Sequence, residues 1–269
     1  MSSIQHVTIP NSTLRRFLNE QNEIYFLDLD TRQIQLIDVD TYGETPRVMY
    51  NTTKEDVFSR EADEYIRLEA ENKLGEAYKD IDNLVNGDKG KFKIPTNKEG
   101  IDEERFKKIN QRYKDITIKT VAIQIARTPY FRKLIGIEDT TMEQDVFEKI
   151  VDKYKDMLKS LQFNIAVIHK NNTDSTFVLT PSHCIMYGDS IENIIIFVVL
   201  SPYYALTLMS NNNYSKCIIG DIHNCINLKD DISINSVNHS AFIEANHHTN
   251  KNLIGYKNQL EFIRNKELK

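Results

Sequence analysis

Gln124, Arg127 and Thr128 stand at i, i+3 and i+4 around an apolar stretch, Val121-Ala-Ile-Gln-Ile-Ala126, so a helix carries them on one face. A guanidinium set in such surroundings needs a carboxylate, phosphate or carbonyl partner, because its charge does not titrate away. Two chemistries satisfy it. One is an anion clamp for a phosphate-bearing ligand; the other is a buried ion pair with Glu69 or Glu71 of the preceding helix. Pro129 ends or kinks the helix and leaves carbonyls beside Arg132, which those carbonyls can satisfy locally. His6, just ahead of Pro10, is an acid–base or metal-ligand candidate if a partner holds it in place, and a surface histidine otherwise. Glu69 and Glu71 lie two apart on a helix and so point about 200° apart. They cannot form a carboxylate pair.

Asp221-x-His223-x-Cys225 puts three ligand types on one strand face, with His183, Cys184, Cys217, His239, His247 and His248 elsewhere in the second half. None of the spacings is C-x2-C or H-x3-H, and three neighbours on one strand make a poor tetrahedral set, so no metal is expected. Nine glycines include no phosphate-cradling loop, no G-x-S-x-G elbow occurs, and no cofactor is expected. Lys89, Lys91, Lys93 and Lys98 make a basic loop, read either as a nucleic-acid contact or as solvated surface.

Charge bounds the partners. Lys+Arg 34 against Asp+Glu 39 leaves a net −5, which argues against a protein that coats nucleic acid non-specifically, although a local basic groove is compatible with it. Three cysteines without an apolar leader imply reduced thiols and a cytoplasmic home. The longest apolar run, Ile194–Leu200, has seven residues. It is a buried strand, far short of the roughly 20 residues that cross a bilayer. The 33 isoleucines and 25 asparagines reflect codon bias more than function.

The elements that must position these groups fall into two parts. Residues 161–269 hold 17 charged side chains and residues 1–160 hold 56, which predicts amphipathic helices first and an apolar, strand-rich unit later. Glu23–Asp28 and Gln33–Asp38 read as strands joined by Leu29-Asp-Thr-Arg32, a hairpin. Helical patterns follow over Ser59–Asn86 and Asp102 to about Ile135. Thr140-x-x-Glu143 is a capping box for a third helix ending near Leu161. Residues 87–100 are loop. Strands are expected at Phe163–Ile168, Thr176–Thr180, Ile194–Leu200 and Ala205–Met209, and helices at Asp231–Asn246 and Tyr256–Lys266. The early hairpin is too poor in apolar residues to fold alone and should pair with the strands of 162–210. The fold class is therefore α+β: long helices on a mostly antiparallel mixed sheet, one domain over residues 1–269.

Several landmarks also occur in a familiar order. His6-Val-Thr-Ile-Pro10 with Leu14 and Phe17 is similar to openings of the type HHYVPQFYLRNF. After the hairpin come Leu68-Glu-Ala-Glu71 and Gln124-Ile-Ala-Arg-Thr-Pro-Tyr-Phe-Arg132, then Phe177-Val178, Leu200-Ser-Pro202 and the Asn238–Ala245 helix. In these the chain resembles, over nearly its whole length, the bacterial family called domain of unknown function 4238. That family has no assigned reaction, and its genes tend to lie near mobile elements and phage-defence loci. The resemblance selects Glu71 as the inward carboxylate and adds Asn238 to the polar set. Where the family reads Ser-Asp-Asn-Pro after a strand, this chain has Thr180-Pro-Ser-His183, without a carboxylate.

Two functions follow as expectations. In the first the chain is a hydrolase acting on phosphate chemistry, a nuclease-like defence effector. There His6 is the acid or base, Glu71 the carboxylate, Arg127 and Arg132 the charge stabilisers, and Gln124, Thr128 and Asn238 bind a nucleic-acid or nucleotide ligand. The second is a non-catalytic sensor or interaction module for a protein partner of the same system. The first requires these side chains to converge on one open polar cleft. No membrane association is expected from either.

Overall fold

The computed structural model describes residues 11–39, 68, 103–127, 144–168, 173–180, 182, 184–188, 192–213, 225–228, 230–247 and 251–268. A helical turn, Asn11–Leu14, runs into a 3-10 turn, Arg15–Phe17, and buries Leu14 and Phe17 completely. The hairpin then forms as β1 (Ile24–Asp28) and β2 (Ile34–Ile37). Its reversal is built by Asp28, whose carboxylate accepts from the amides of Asp30 and Thr31 at 3.0 and 2.9 Å. Arg32 completes the turn at φ 59°, in the left-handed region.

Helix α1 (Glu103–Arg127) presents Tyr113, Thr117 and Val121 at four-residue steps, all buried. It packs against α2 (Gln144–Leu158), whose Val151, Tyr154 and Leu158 make the matching stripe. Next come β3 (Gln162–Ile168), β4 (Cys184–Tyr187), β5 (Ile195–Ser201), β6 (Tyr204–Met209) and β7 (Cys225–Leu228). They form one sheet in the order β4-β5-β6-β3-β7, antiparallel except for the β3–β7 pair. β5 is apolar on both faces because both are covered. Helix α1 lies against β5 and β6 on one side, while Phe197 and Val199 belong to the core on the other.

That second core is completed by α3 (Asp231–Asn246), β8 (Asn252–Gly255) and α4 (Lys257–Glu267). The architecture is α+β with a mixed, mostly antiparallel sheet, as the hydrophobic pattern implies. Long helices are realised in α1, with 25 residues, whereas α2, α3 and α4 have 15, 16 and 11.

The hairpin's partner is a correction. β1 pairs with β8, in a separate three-stranded sheet of order β2-β1-β8, and not with the strands of 162–210. Leu179, which belongs to neither sheet, makes an isolated antiparallel bridge to Ile254 of β8. β8 escapes sequence reading because Asn-Leu-Ile-Gly is short, has a single β-branched residue and ends in glycine. Residues 176–180 also depart from a regular strand: among the described residues, their one ladder contact is that bridge. The helix expected over 59–86, the loop at 87–100, the capping box at Thr140 and the helical pattern beyond Arg127 lie outside the described residues.

Candidate functional site

Helix α3 is the element that gathers polar side chains in the core. Asp230 caps it, its carboxylate accepting from the Ser233 amide at 2.7 Å, so the first turn is fixed. From there Ile234, Asn238, Ala241, Glu244 and Ala245 face inward at helical spacing, all buried. Two of these five are polar, and both meet the chain between Thr176 and Cys184.

Asn238 is fully buried and bonded on both ends of its carboxamide. Its Oδ1 accepts from the Val178 amide at 3.2 Å, and its Nδ2 donates to the Thr176 carbonyl at 2.8 Å. Gln259 of α4 works beside it. Gln259 Oε1 accepts from the Thr176 amide at 3.0 Å, and its Nε2 donates to Asn235 Oδ1 at 3.1 Å. The Phe177 amide donates to the Pro202 carbonyl at 2.9 Å, and Leu179 exchanges two bonds with Ile254 at 2.8 and 3.0 Å. Side chains of two helices thus supply what a neighbouring strand would supply to an ordinary ladder.

Farther along, Thr180, Ser182, Cys184 and Glu244 make a closed cluster, none more than 3% exposed. Ser182 Oγ and Glu244 Oε1 share a hydrogen bond. Ser182 Oγ also lies 2.7 Å from the Cys184 carbonyl and accepts from the Cys184 amide at 3.2 Å. Thr180 Oγ1 is 3.0 Å from Ser182 Oγ and 3.3 Å from the same carbonyl. Burial, with Glu244 close by, pushes the Cys184 thiol well above its ordinary range. It is an inert thiol at neutral pH, since the thiolate is the reactive form.

A substrate cannot reach any of these groups without the core opening. They organise a segment; they do not present a surface. Sequence reading missed Glu244 and Ser182. A signal for Glu244 did exist, because a charged residue six positions after Asn238 falls on the apolar side of the same helix. Its partner, 62 residues away along the chain, has no sequence signal at all. The loop that lacks an acidic residue at Thr180–His183 nonetheless meets a carboxylate, delivered from α3.

Of the expected polar set, Asn238 is placed, and its bonds lie inside the fold and not in a cleft. Gln124 and Arg127 occupy the last two turns of α1, three residues apart. Their side chains, and His6, Glu69, Glu71, Thr128 and Arg132, lie outside the described residues. Asp221 and His223 do too, while Cys225 opens β7. Among the described residues no group of three or more His, Cys, Asp or Glu could hold a metal ion, and no helix is long and apolar enough to cross a membrane. Comparison with protein-family models, curated proteins and solved structures yields no match for this chain.

Proposed function

We propose that the chain is a non-catalytic sensor or protein-interaction module of a bacterial defence or mobile-element system, related to the domain of unknown function 4238 family. The observation that carries this reading is the state of Asn238. A residue expected to bind ligand has its carboxamide taken up by the main chain of Thr176 and Val178 in a fully buried setting. Polar groups retained for structure are closed off by their neighbours, whereas those of a working site border a pocket. Ser182 and Glu244 follow the same rule. A cytoplasmic location belongs to this proposal, and the free, buried thiol of Cys184 supports it.

The competing hydrolase reading, with His6, Glu71, Arg127 and Arg132 as its machinery, predicts the opposite in one assay. Purified chain is incubated with single- and double-stranded DNA and RNA, with magnesium or manganese added. The module reading expects the same background cleavage from wild type, His6→Ala and Arg127→Ala. Cleavage by wild type that both substitutions abolish overturns it and restores the hydrolase.

A further inference from the structure

β2 (Ile34–Ile37) is the outer strand of the sheet β2-β1-β8, and among the described residues no strand lies on its far side. The hairpin ladder settles which of its main-chain groups face outward. The Asp28 amide donates to the Gln33 carbonyl at 3.0 Å, and hydrogen-bonded pairs alternate along an antiparallel ladder. Phe26 with Gln35 and Ile24 with Ile37 therefore exchange bonds across the hairpin. The amides and carbonyls of Ile34 and Leu36 point away from β1. The far side of β1 agrees: the Leu29 amide donates to the Lys251 carbonyl, so the odd-numbered residues of β1 serve β8 and the even-numbered ones serve β2.

Such an edge recruits another strand unless charge, proline or a bulge blunts it. Ile34-Gln-Leu-Ile37 carries no charge and no proline, and its register with β1 is regular. Leu36 is 59% exposed, and Ile34, on the same face, is partly exposed. The charges stand at the two ends, with Arg32 before the strand and Asp38 after it, both exposed.

This pattern is complementary to its own reverse. With a two-fold axis through Gln35, Ile34 of one copy faces Leu36 of the other, and Arg32 faces Asp38 at each end. The outward groups of Ile34 and Leu36 then bond to each other, and their exposed side chains cover one another on one face. The neighbouring registers are worse. An axis through Ile34 sets Asp30 against Asp38 and Leu36 against Arg32, and an axis through Leu36 sets Asp38 against Ile34. A slip by one residue opposes outward groups to inward ones. We propose that the outer edge of β2 docks a second copy of this chain, joining the two small sheets into one continuous antiparallel sheet across a two-fold axis at Gln35. The pairing holds whether the chain is an interaction module or a hydrolase.

The test is sedimentation of the full chain from about 1 μM to about 1 mM. Wild type should pass from monomer to dimer over that range, and a monomer throughout overturns the proposal. Leu36→Lys, at an exposed position, sets an ammonium against Ile34 of the other copy and should weaken self-association at least about tenfold. Unchanged self-association overturns the proposal. Arg32→Glu and Asp38→Arg should each weaken it too, whereas a mixture of these two variants should dimerise, because both ends then oppose unlike charges. A mixture no better than its parts overturns the register. Should these variants fail to fold, Gln35→Cys decides. At the axis the two copies of residue 35 form a pair without main-chain bonds, with Cα atoms about 4.5 Å apart, within disulfide reach. Mild oxidation should link the chains at that position, seen by peptide mapping, and no such link overturns the proposal.

Discussion

Asn238 stands beside Thr176 as a neighbouring strand would: its Nδ2 donates to the Thr176 carbonyl at 2.8 Å while its Oδ1 accepts from the Val178 amide at 3.2 Å. One side chain thereby satisfies two main-chain groups of a completely buried extended segment. Substituting Asn238→Ala orphans both. Each unsatisfied buried group costs about 1–3 kcal/mol, so a loss of about 2–5 kcal/mol is expected, read as a lower urea midpoint. Asn238→Asp should fare no better, because it accepts from Val178 but cannot donate to Thr176. A midpoint within error of wild type for Asn238→Ala would refute the role.

How much of this was legible beforehand depends on the range of the interaction. Helix α3 was legible, since Asp230 caps it and its inward residues repeat at helical spacing; so was β5, whose run of apolar residues has no room for a solvent face. The Leu29–Arg32 reversal was readable from Asp28 and its turn chemistry. Which strand flanks β1 was not. β8 arrives from more than 220 residues away, and Leu253 and Ile254 between Asn252 and Gly255 carry too little pattern to announce a strand. Asn238 was expected to bind a ligand, and its use inside the fold was not visible. Its partners, Thr176 and Val178, contribute main-chain atoms, which have no residue identity to read. Glu244 and Ser182 combine both difficulties.

Gly188 supplies a second prediction. It sits at φ 114° in the turn after β4, and a Cβ there would lie 2.4 Å from the Asn193 carbonyl oxygen. Only glycine takes that backbone without strain, and the obstructing atom is main chain, which cannot swing aside. Gly188→Ala should cost about 1–3 kcal/mol and loosen the β4–β5 connection, seen as faster amide exchange at Tyr187 and Ile195. Unchanged exchange and an unchanged melting temperature would contradict this.

Phe177 tests how the segment 176–180 packs on the five-stranded sheet. It is fully buried, with its ring centroid 6.2 Å from that of Phe197, a residue of the five-stranded sheet. Phe177→Ala removes the contact and leaves a cavity, for an expected loss of about 3–5 kcal/mol. Phe177→Leu, which keeps most of the volume, should recover more than half of it. Equal losses in the two variants would mean that volume is not what Phe177 contributes.

Cys184 makes the final prediction, on the alkaline side. Its thiol is fully buried and held well above its ordinary range, first by desolvation and then by the charge of Glu244. The unfolded chain releases this proton near about pH 8.5, whereas the folded chain holds it to higher pH. The native state thus binds one more proton than the unfolded state above that point. Stability conferred by the neutral thiol is complete below about pH 8.5 and is lost progressively as pH climbs toward the folded value. Wild type should therefore lose stability between about pH 8 and pH 10 more steeply than Cys184→Ala, whose alanine has nothing to ionise. The same burial should protect the thiol from alkylation in native buffer, with modification at Cys184 seen by peptide mapping only after denaturant is added. Rapid native-state alkylation at Cys184, or parallel stability curves for the two proteins, would show that the Thr180–Cys184 turn opens freely and that its cluster does not close the core.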